Sequence, residues 1–438
     1  MSYSARHPLS VGQEALWFTH RLAPTRVADN IAVAVRIREA VDVPALDRAI
    51  SEVVRRHDVL GSRYETDLYT TSRVGCPDLP TVETHEAHGA DEAASRQLTQ
   101  DLVNLPFRLD RSPPLRVSLV RTAPDRAILL VVIHHIAADL PSLIVTLTEI
   151  LRFYGMFTGR HTFDPPAAES FDSHVAGERA FLRSPARIEA ERHWREVCAG
   201  ARELPLPGAG TASTQPFRPA ADHVDFTVAP TLAGGLEAWC RQNSSTMFNV
   251  LASAFAQVVA ERFDQYGYLL CYPATLRRGV RQRRAVGNYV NLLPLRVLPR
   301  PAPFGEAVAW TADQVAAGRR HASYPFAMMP CALGPPPPDG RPGVQVIFNM
   351  LYAYPASALH DSLLTGAPVE VAGIPVSGLF LPQQLGQNAL VMDAWHAPNV
   401  MRGQLKYQVG ACDRATADEL VVRYLDLLSS LTEARSVA

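Results

Sequence analysis

The sequence predicts an α/β (α+β) protein built in two halves, and three observations lead there. The chain has 438 residues, more than a single hydrophobic core usually organises, so two domains are expected. Aliphatic runs of strand length alternate along the chain with stretches of helical periodicity, and they do so in both halves. Between the halves, residues 158–170 lack either periodicity and contain Asp164-Pro165-Pro166, a turn-rich signal. The expected domains are therefore 1–165 and 166–438.

In the first half, Ser10 and Gln13 fit a capping box that opens a helix carrying Leu16, Trp17 and Phe18. Residues 31–37, with alternating valines, predict a strand. Asp42 and Pro44 start a helix whose Leu46, Ile50, Val53, Val54 and Leu60 form one apolar stripe, ending at Arg55-Arg56-His57-Asp58 and Gly61. His57 is expected at the surface or in a second layer. A helix over 91–103 and a strand over 115–120 follow, the latter pairing with the next aliphatic run.

That run, residues 127–133, is continuous enough to be a strand buried on both faces, and it leads into His134, His135 and, four residues later, Asp139. Strand alternation puts Val131, Ile133 and His135 on one side and Val132 and His134 on the other, so the two imidazoles are expected to do different work. A histidine at a strand end can take a proton from an attacking amine or hydroxyl and return it later. A metal site is the weaker reading, because adjacent strand residues point to opposite faces and converge poorly on one ion. The chain has 14 histidines, which makes a chance pair unremarkable, so the weight lies on the aspartate. From Pro141 to Phe153, the positions Leu143, Leu147, Ile150 and Leu151 recur at helical spacing, with Pro141 in the first turn.

The second half repeats the pattern. Helices are expected over 171–182, 186–198, 232–241, 248–263 and 416–431, and strands over 224–228, 268–273, 292–297, 344–350, 389–395 and 403–408. Pro/Gly-rich loops are expected at 204–219 and 334–338.

Composition narrows the function classes. Hydrophobic residues make up 47% of the chain and the formal net charge is −1, values that give no overall attraction to nucleic acid or anionic membrane. The six cysteines lie far apart without Cys-x-x-Cys pairs and no apolar signal segment opens the chain, which reads as a reduced, cytoplasmic protein. The apolar runs are strand-sized, so no spanning helix is expected. Lys406 as the sole lysine among many arginines reads as codon bias.

Taken in order, these stretches resemble the condensation domains of nonribosomal peptide synthetases. Ser10, Gln13, Leu16 and Trp17 resemble the first motif of that family, and Arg56-His57-Asp58-Val59-Leu60 with Tyr64 resembles the second. His134-His135 with Asp139 is similar to its His-His-x-x-x-Asp-Gly signature. Val286-Gly287-Asn288-Tyr289-Val290-Asn291, Tyr324-Pro325-Phe326 and the strand 344–349 are similar to three later motifs. The resemblance covers almost the whole chain. It implies two chloramphenicol-acetyltransferase-like lobes forming a V with a central tunnel, reached by a carrier-bound donor from one side and an acceptor from the other. It implies that His135 is catalytic and faces the tunnel, that His134 packs away from it, and that Asp139 pairs with an arginine. Matching residues 272–277 to the Pro-Val-Ala-Gly-Arg stretch makes that arginine Arg277. An aspartate held by arginine is a poor base, so the pair reads as architectural. Leu140, Tyr289, Asn291 and Asn349 are assigned to the tunnel or to substrate access.

The sequence also departs from the family. Leu140 stands where the signature has glycine, Ala389-Leu390-Val391 replaces Phe-Asp-Leu, and the tryptophan-bearing helix motif survives only in part at 171–182. No adenylation motif or Gly-Gly-x-Ser carrier signature is present. The resemblance therefore implies a free-standing, monomeric acyltransferase with no bound cofactor and no metal. It would take its donor from the 4'-phosphopantetheine of a partner acyl or peptidyl carrier protein and pass it to a small-molecule or carrier-bound amine or hydroxyl. Use of acyl-CoA is an alternative, lowered by the absence of Asp-Phe-Gly-Trp-Gly. A catalytically silent module that recruits partners is another, favoured by Leu140 and the altered 389 stretch and opposed by intact His135 and Asp139.

Overall fold

A computed structural model describes residues 6–23, 27–67, 70–206, 221–333, 344–352, 358–381, 388–397 and 400–433. The chain divides into two compact units. The first comprises Met1–Ala180, Leu276–Val290 and Tyr354–Gln383; the second comprises Phe181–Thr275, Asn291–Ala353 and Gln384–Ala438. A single cut at residue 165 does not describe this division. The reason is strand pairing: Ile374–Leu379 adds antiparallel to Asn30–Ile37, and Pro368–Val371 pairs with Ile374–Leu379 in turn, so a late segment completes the first unit's sheet.

Among the described residues that sheet has six strands, in the order Pro368–Val371, Ile374–Leu379, Asn30–Ile37, Arg126–His134, Leu115–Ala123 and Val82–Glu86. Arg126–His134 is central and antiparallel to both neighbours, with Val33 opposite Val131 on one side and Val117 opposite it on the other. Every residue from Ala127 to His134 is buried, as a strand covered on both faces requires. Helices Val43–Arg56 and Leu140–Phe157 pack against one another, and Leu46, Ile50, Val53, Leu143, Leu147 and Ile150 join one core with the sheet. The stripe expected to run on to Leu60 breaks at Arg56, and Val59 and Leu60 reach the same core from a 3-10 turn, Asp58–Gly61. A smaller sheet orders Arg6–Pro8, Thr70–Gly75 and Ser62–Asp67.

Two sequence expectations need correction here. Helix Leu140–Phe157 spans 18 residues, longer than the stretch read from periodicity, and by length and composition alone it could cross a membrane. Its Leu143, Leu147, Ile150, Leu151, Phe153 and Tyr154 instead lie in the first unit's core. His57, expected at the surface or in a second layer, is buried, with Nε2 3.0 Å from Glu149 Oε2.

The second unit, again among the described residues, has a six-stranded sheet in the order Val290–Arg296, Leu269–Thr275, Val346–Tyr352, Leu390–Ala397, Val400–Gln408 and Ala221–Val228. One face carries Leu270, Tyr272, Phe348, Met392, Leu405 and Tyr407 into a core shared with helices Met247–Arg262 and Arg414–Glu433. Helix Met247–Arg262 is apolar nearly all round and correspondingly buried, as a central core helix should be. Helix Phe304–Arg320 was not expected from the sequence, because its buried positions, Val308, Thr311 and Gly318, make only a thin stripe. The loop expected at 334–338, and that at 204–219 from residue 207 on, lie outside the described residues.

Candidate active site

The central strand of the first unit ends at His134, and the chain turns immediately, Ala137 N–H donating to His134 O at 2.9 Å. His135 is therefore one residue beyond the strand in which alternation placed it. The separation of the two rings comes from this turn. His134 is buried; its Nδ1 accepts the Ile136 N–H at 3.1 Å, and the rings of His20 and Phe107 stand edge-on to it at centroid distances of 5.7 and 6.0 Å. Packing occupies that imidazole. His135 donates its backbone N–H to Asp29 O at 2.7 Å, and its half-buried side chain has an enclosed Nδ1 that meets no hydrogen-bond partner.

Asp139 caps helix Leu140–Phe157. Its Oδ1 accepts the Ser142 N–H at 2.9 Å and lies 2.6 Å from the Ser142 hydroxyl, the arrangement an N-cap aspartate is selected for. The arginine that reaches it is Arg277, with Nη2 2.6 Å from Oδ1 and Nε 3.2 Å from Oδ2, and the two side chains are 2% and 1% exposed. Arg277 also donates through Nη1 to the carbonyls of Ala285, at 2.7 Å, and Gln282, and its guanidinium lies 4.3 Å from the centre of the Tyr289 ring. This one side chain joins the helix start to segment 276–290.

Ser142 was not singled out in the sequence. Its hydroxyl lies 2.6 Å from Arg277 Nη2 and 2.7 Å from Gly287 O, and it accepts the Gly287 N–H at 3.0 Å. The available signal was its position three residues after the capping aspartate. Gly287 has no room for a side chain, since a Cβ would fall 2.0 Å from Phe171 Cδ2. Tyr289 is buried with its hydroxyl unpartnered, and burial pushes that phenol up. Its ring meets Phe171 edge-on at 5.1 Å and lies 4.9 Å from His174. Burial, reinforced by the Arg277 charge, lowers His174 to about 4.

The other N-terminal motifs brace this arrangement. Ser10 and Gln13 form the expected capping box, and Gln13 Nε2 donates to Ile136 O at 2.9 Å, fixing the turn after His135. Arg56 reaches Glu149 through Nε at 3.1 Å and Nη2 at 3.2 Å, beside the His57 contact. Burial would raise the Glu149 carboxyl, but the His57 and Arg56 hydrogen bonds outweigh it and hold the group below its ordinary value. Leu140, the first residue of the helix, is half-buried and packs against the first unit's core.

Asn291 and Asn349 belong to the second unit. Asn291 donates to Ala322 O at 2.9 Å and Tyr324 O at 2.8 Å and accepts the Phe326 N–H at 2.8 Å, so all its amide groups hold the turn around Tyr324-Pro325-Phe326. Asn349 donates to Asp393 Oδ1 at 3.1 Å, and Asp393 Oδ2 lies 3.0 Å from Lys406 Nζ.

His7, Asp58 and Asp172 bring ligand-type atoms together as a metal site would. Arg73 already answers those carboxylates, at 3.0 Å from Asp58 and 2.8 Å from Asp172, and a cation there would face a guanidinium. Arg278, Arg281, Arg283 and Arg284 are exposed around the short helix Gly279–Arg283, which Arg277 holds through the Gln282 carbonyl.

Comparison with known proteins places this geometry. A family model described as Condensation domain matches residues 4–437. Malpinin synthetase of Mortierella alpina is 24% identical over 434 residues, which is 97% of this chain and 5% of that protein. The chain thus spans under a tenth of the length of that curated relative. Among solved structures, the X-domain from teicoplanin biosynthesis, in complex with OxyB, superposes with a TM-score of 0.81 at 22% identity, covering 99% of this chain and 94% of that one. The starter condensation domain of rhizomide synthetase RzmA, in complex with C8-CoA, superposes at 0.80 and 16% identity, covering 98% and 95%. Both structural likenesses concern the fold.

Proposed function

Because the chain belongs to the condensation-domain family, we propose that it is an acyltransferase that moves an acyl or aminoacyl group from a phosphopantetheine thioester on a separate carrier protein to an amine or hydroxyl. The observation that carries this reading is the contrast between neighbours: His134 and Asp139 are fully engaged by the protein, whereas His135 keeps an enclosed nitrogen without a partner. A buried polar atom left unsatisfied calls for an explanation, and a reacting group supplied by substrate is one.

In the proposed step His135 holds the acceptor nucleophile and takes its proton as the nucleophile adds to the thioester carbonyl. The tetrahedral species then collapses, the carbon–sulfur bond breaks, and the pantetheine sulfur leaves as a thiol with the proton that His135 returns. Holding donor and acceptor together supplies much of the rate. Asp139 takes no proton in this scheme, since Ser142 and both Arg277 donors already occupy its oxygens. The chemistry calls for no metal or bound cofactor.

The test is intact-mass analysis of acyl-loaded carrier proteins incubated with the chain and candidate acceptors. Acceptor-dependent loss of the acyl load supports the proposal, and retention of every load with every acceptor rejects it. Two other readings have their own support. The fold also occurs in an X-domain complexed with OxyB, which favours a recruiting role; that role requires a stable complex with a partner and no turnover. The RzmA domain complexed with C8-CoA favours acyl-CoA as donor, and an acyl-CoA arm in the same assay separates the two donors.

A further inference from the structure

Residues 276–290 contain Arg277, Arg278, Arg281, Arg283 and Arg284 and no aspartate or glutamate, in a chain whose net charge is only −1. Surface arginines elsewhere are answered by an acid, as Arg36 is by Glu92 at 2.6 Å, Arg187 by Glu191 at 2.7 Å and Arg414 by Asp418 at 3.0 Å. Arg281, Arg283 and Arg284 are exposed, and among the described residues no ion pair or side-chain hydrogen bond answers any of the three. The acids that touch the segment are already engaged, Asp139 by Arg277 and Glu169 by Gln282 Nε2 at 3.1 Å.

We propose that Arg281, Arg283 and Arg284, with Val280 among them, form the docking surface for an acidic face of the carrier protein that brings the acyl group. The choice of partner rests on the acyltransferase reading; the surface itself rests on its side chains. Its backbone is fixed: Arg277 Nη1 donates to the carbonyls of Gln282 and Ala285, and Gln282 Oε1 accepts the Arg278 N–H at 2.6 Å. The charges therefore stand on a held turn, and Arg277, which holds it, also holds Asp139 four residues after His135.

The chemistry of the patch favours a protein carboxylate surface over nucleic acid. Val280 is 61% exposed, which gives the charged rim an apolar centre of the kind protein interfaces use. The segment's one aromatic ring, Tyr289, is buried and offers no face on which a base could stack. Guanidinium groups pair with carboxylates through two parallel hydrogen bonds, and unpaired cations on a surface draw an acidic partner in before contact, an attraction that salt screens.

The experiment measures binding of the full chain to a panel of fluorescently labelled apo carrier proteins, which lack phosphopantetheine, at low and physiological salt, with duplex DNA as a further probe. The wild type should bind at least one carrier, more weakly as salt rises. The triple variant Arg281→Glu, Arg283→Glu, Arg284→Glu, confirmed folded by its melt, should bind it about tenfold or more weakly and with a flatter salt dependence; should it fail to fold, the triple glutamine variant replaces it. With acyl-N-acetylcysteamine, a donor that needs no docking, the variant should turn over as the wild type does, while its KM for the acyl-carrier rises. A chain that binds carriers through these arginines yet unloads none supports the docking surface and rejects the acyltransferase reading. No binding of any carrier by the wild type, tighter binding of the DNA than of any carrier, or equal carrier binding by wild type and variant overturns the proposal.

Discussion

Ser142 and Gly287, 145 residues apart in sequence, are joined through both backbone polar groups of the glycine, the serine hydroxyl accepting the glycine N–H at 3.0 Å and lying 2.7 Å from the glycine carbonyl oxygen. Through the same hydroxyl the pair reaches Arg277 and Asp139. Replacing Ser142 by alanine leaves a buried N–H without its acceptor and weakens the cap. We expect Ser142→Ala to lower stability by about 1–3 kcal/mol, measured by denaturant unfolding. Unchanged stability would mean that the hydroxyl is a bystander.

Arg277→Ala should cost more, because it strands the Asp139 carboxylate in a closed environment and releases the carbonyls of Gln282 and Ala285 as well. Removal of one partner from a buried pair typically destabilises by about 3–5 kcal/mol. Arg277→Lys keeps the charge but loses the two-pronged contact, so its melt should fall between wild type and Arg277→Ala. A melt for Arg277→Ala equal to that of the wild type would remove the architectural role.

What the sequence made legible was whatever is encoded locally. The strand ending at the histidine pair, the cap at Asp139 and the capping box at Ser10 each depend on residues within a turn of one another, and each is present. Arg277 was found through the family motif rather than through spacing, since nothing local links it to Asp139 across 138 residues. Ser142 was missed for the same reason: a serine three positions after a cap is ordinary until Gly287 arrives beside it. The burial of His57 was hidden because its partner, Glu149, lies 92 residues away on another helix. Strands Pro368–Val371 and Ile374–Leu379 were missed because they are short and interrupted by proline and glycine, and their place is set by pairing to Asn30–Ile37.

His135→Ala should leave the fold intact, since the side chain's enclosed nitrogen has no partner to lose. Transfer should fall by roughly 10²–10⁴-fold, the range for a lost general acid–base group, in the carrier-unloading assay. Wild-type turnover in this variant would favour the recruiting module.

Acid should weaken the first unit at His174. This ring is held neutral to about 4 by burial and by the charges of Arg277 and Arg278, with Asp139 and Glu169 opposing, against an unfolded value of 6.5. Between these values the unfolded chain binds the proton and the folded one does not, so stability is full above about pH 6.5 and declines as pH falls toward about 4. Thermal melts across this window should show the decline, and His174→Gln should flatten it. An equally steep decline in the variant would assign the acid sensitivity to other groups.

Leu140 stands where the family signature has glycine, and the structure gives the backbone no need for one. It is the first residue of helix Leu140–Phe157 and is not among the non-glycine residues with positive φ, so glycine here would relieve no strain. What leucine adds is a branched apolar side chain directly after Asp139, half-buried against the first unit's core and five residues beyond His135. Leu140→Gly loses that contact and introduces a poor helix former at the end of a helix, and together these should cost about 1–2 kcal/mol. The cap from Asp139 to Ser142 uses the backbone N–H and hydroxyl of Ser142, so it survives the change. The functional effect should be one of space: on the proposed acyltransferase reading, removal of the leucine should speed transfer or admit bulkier acyl groups in the carrier-unloading assay. Loss of activity on the preferred donor and acceptor, with His135 still required and the fold intact, would instead make Leu140 a substrate contact.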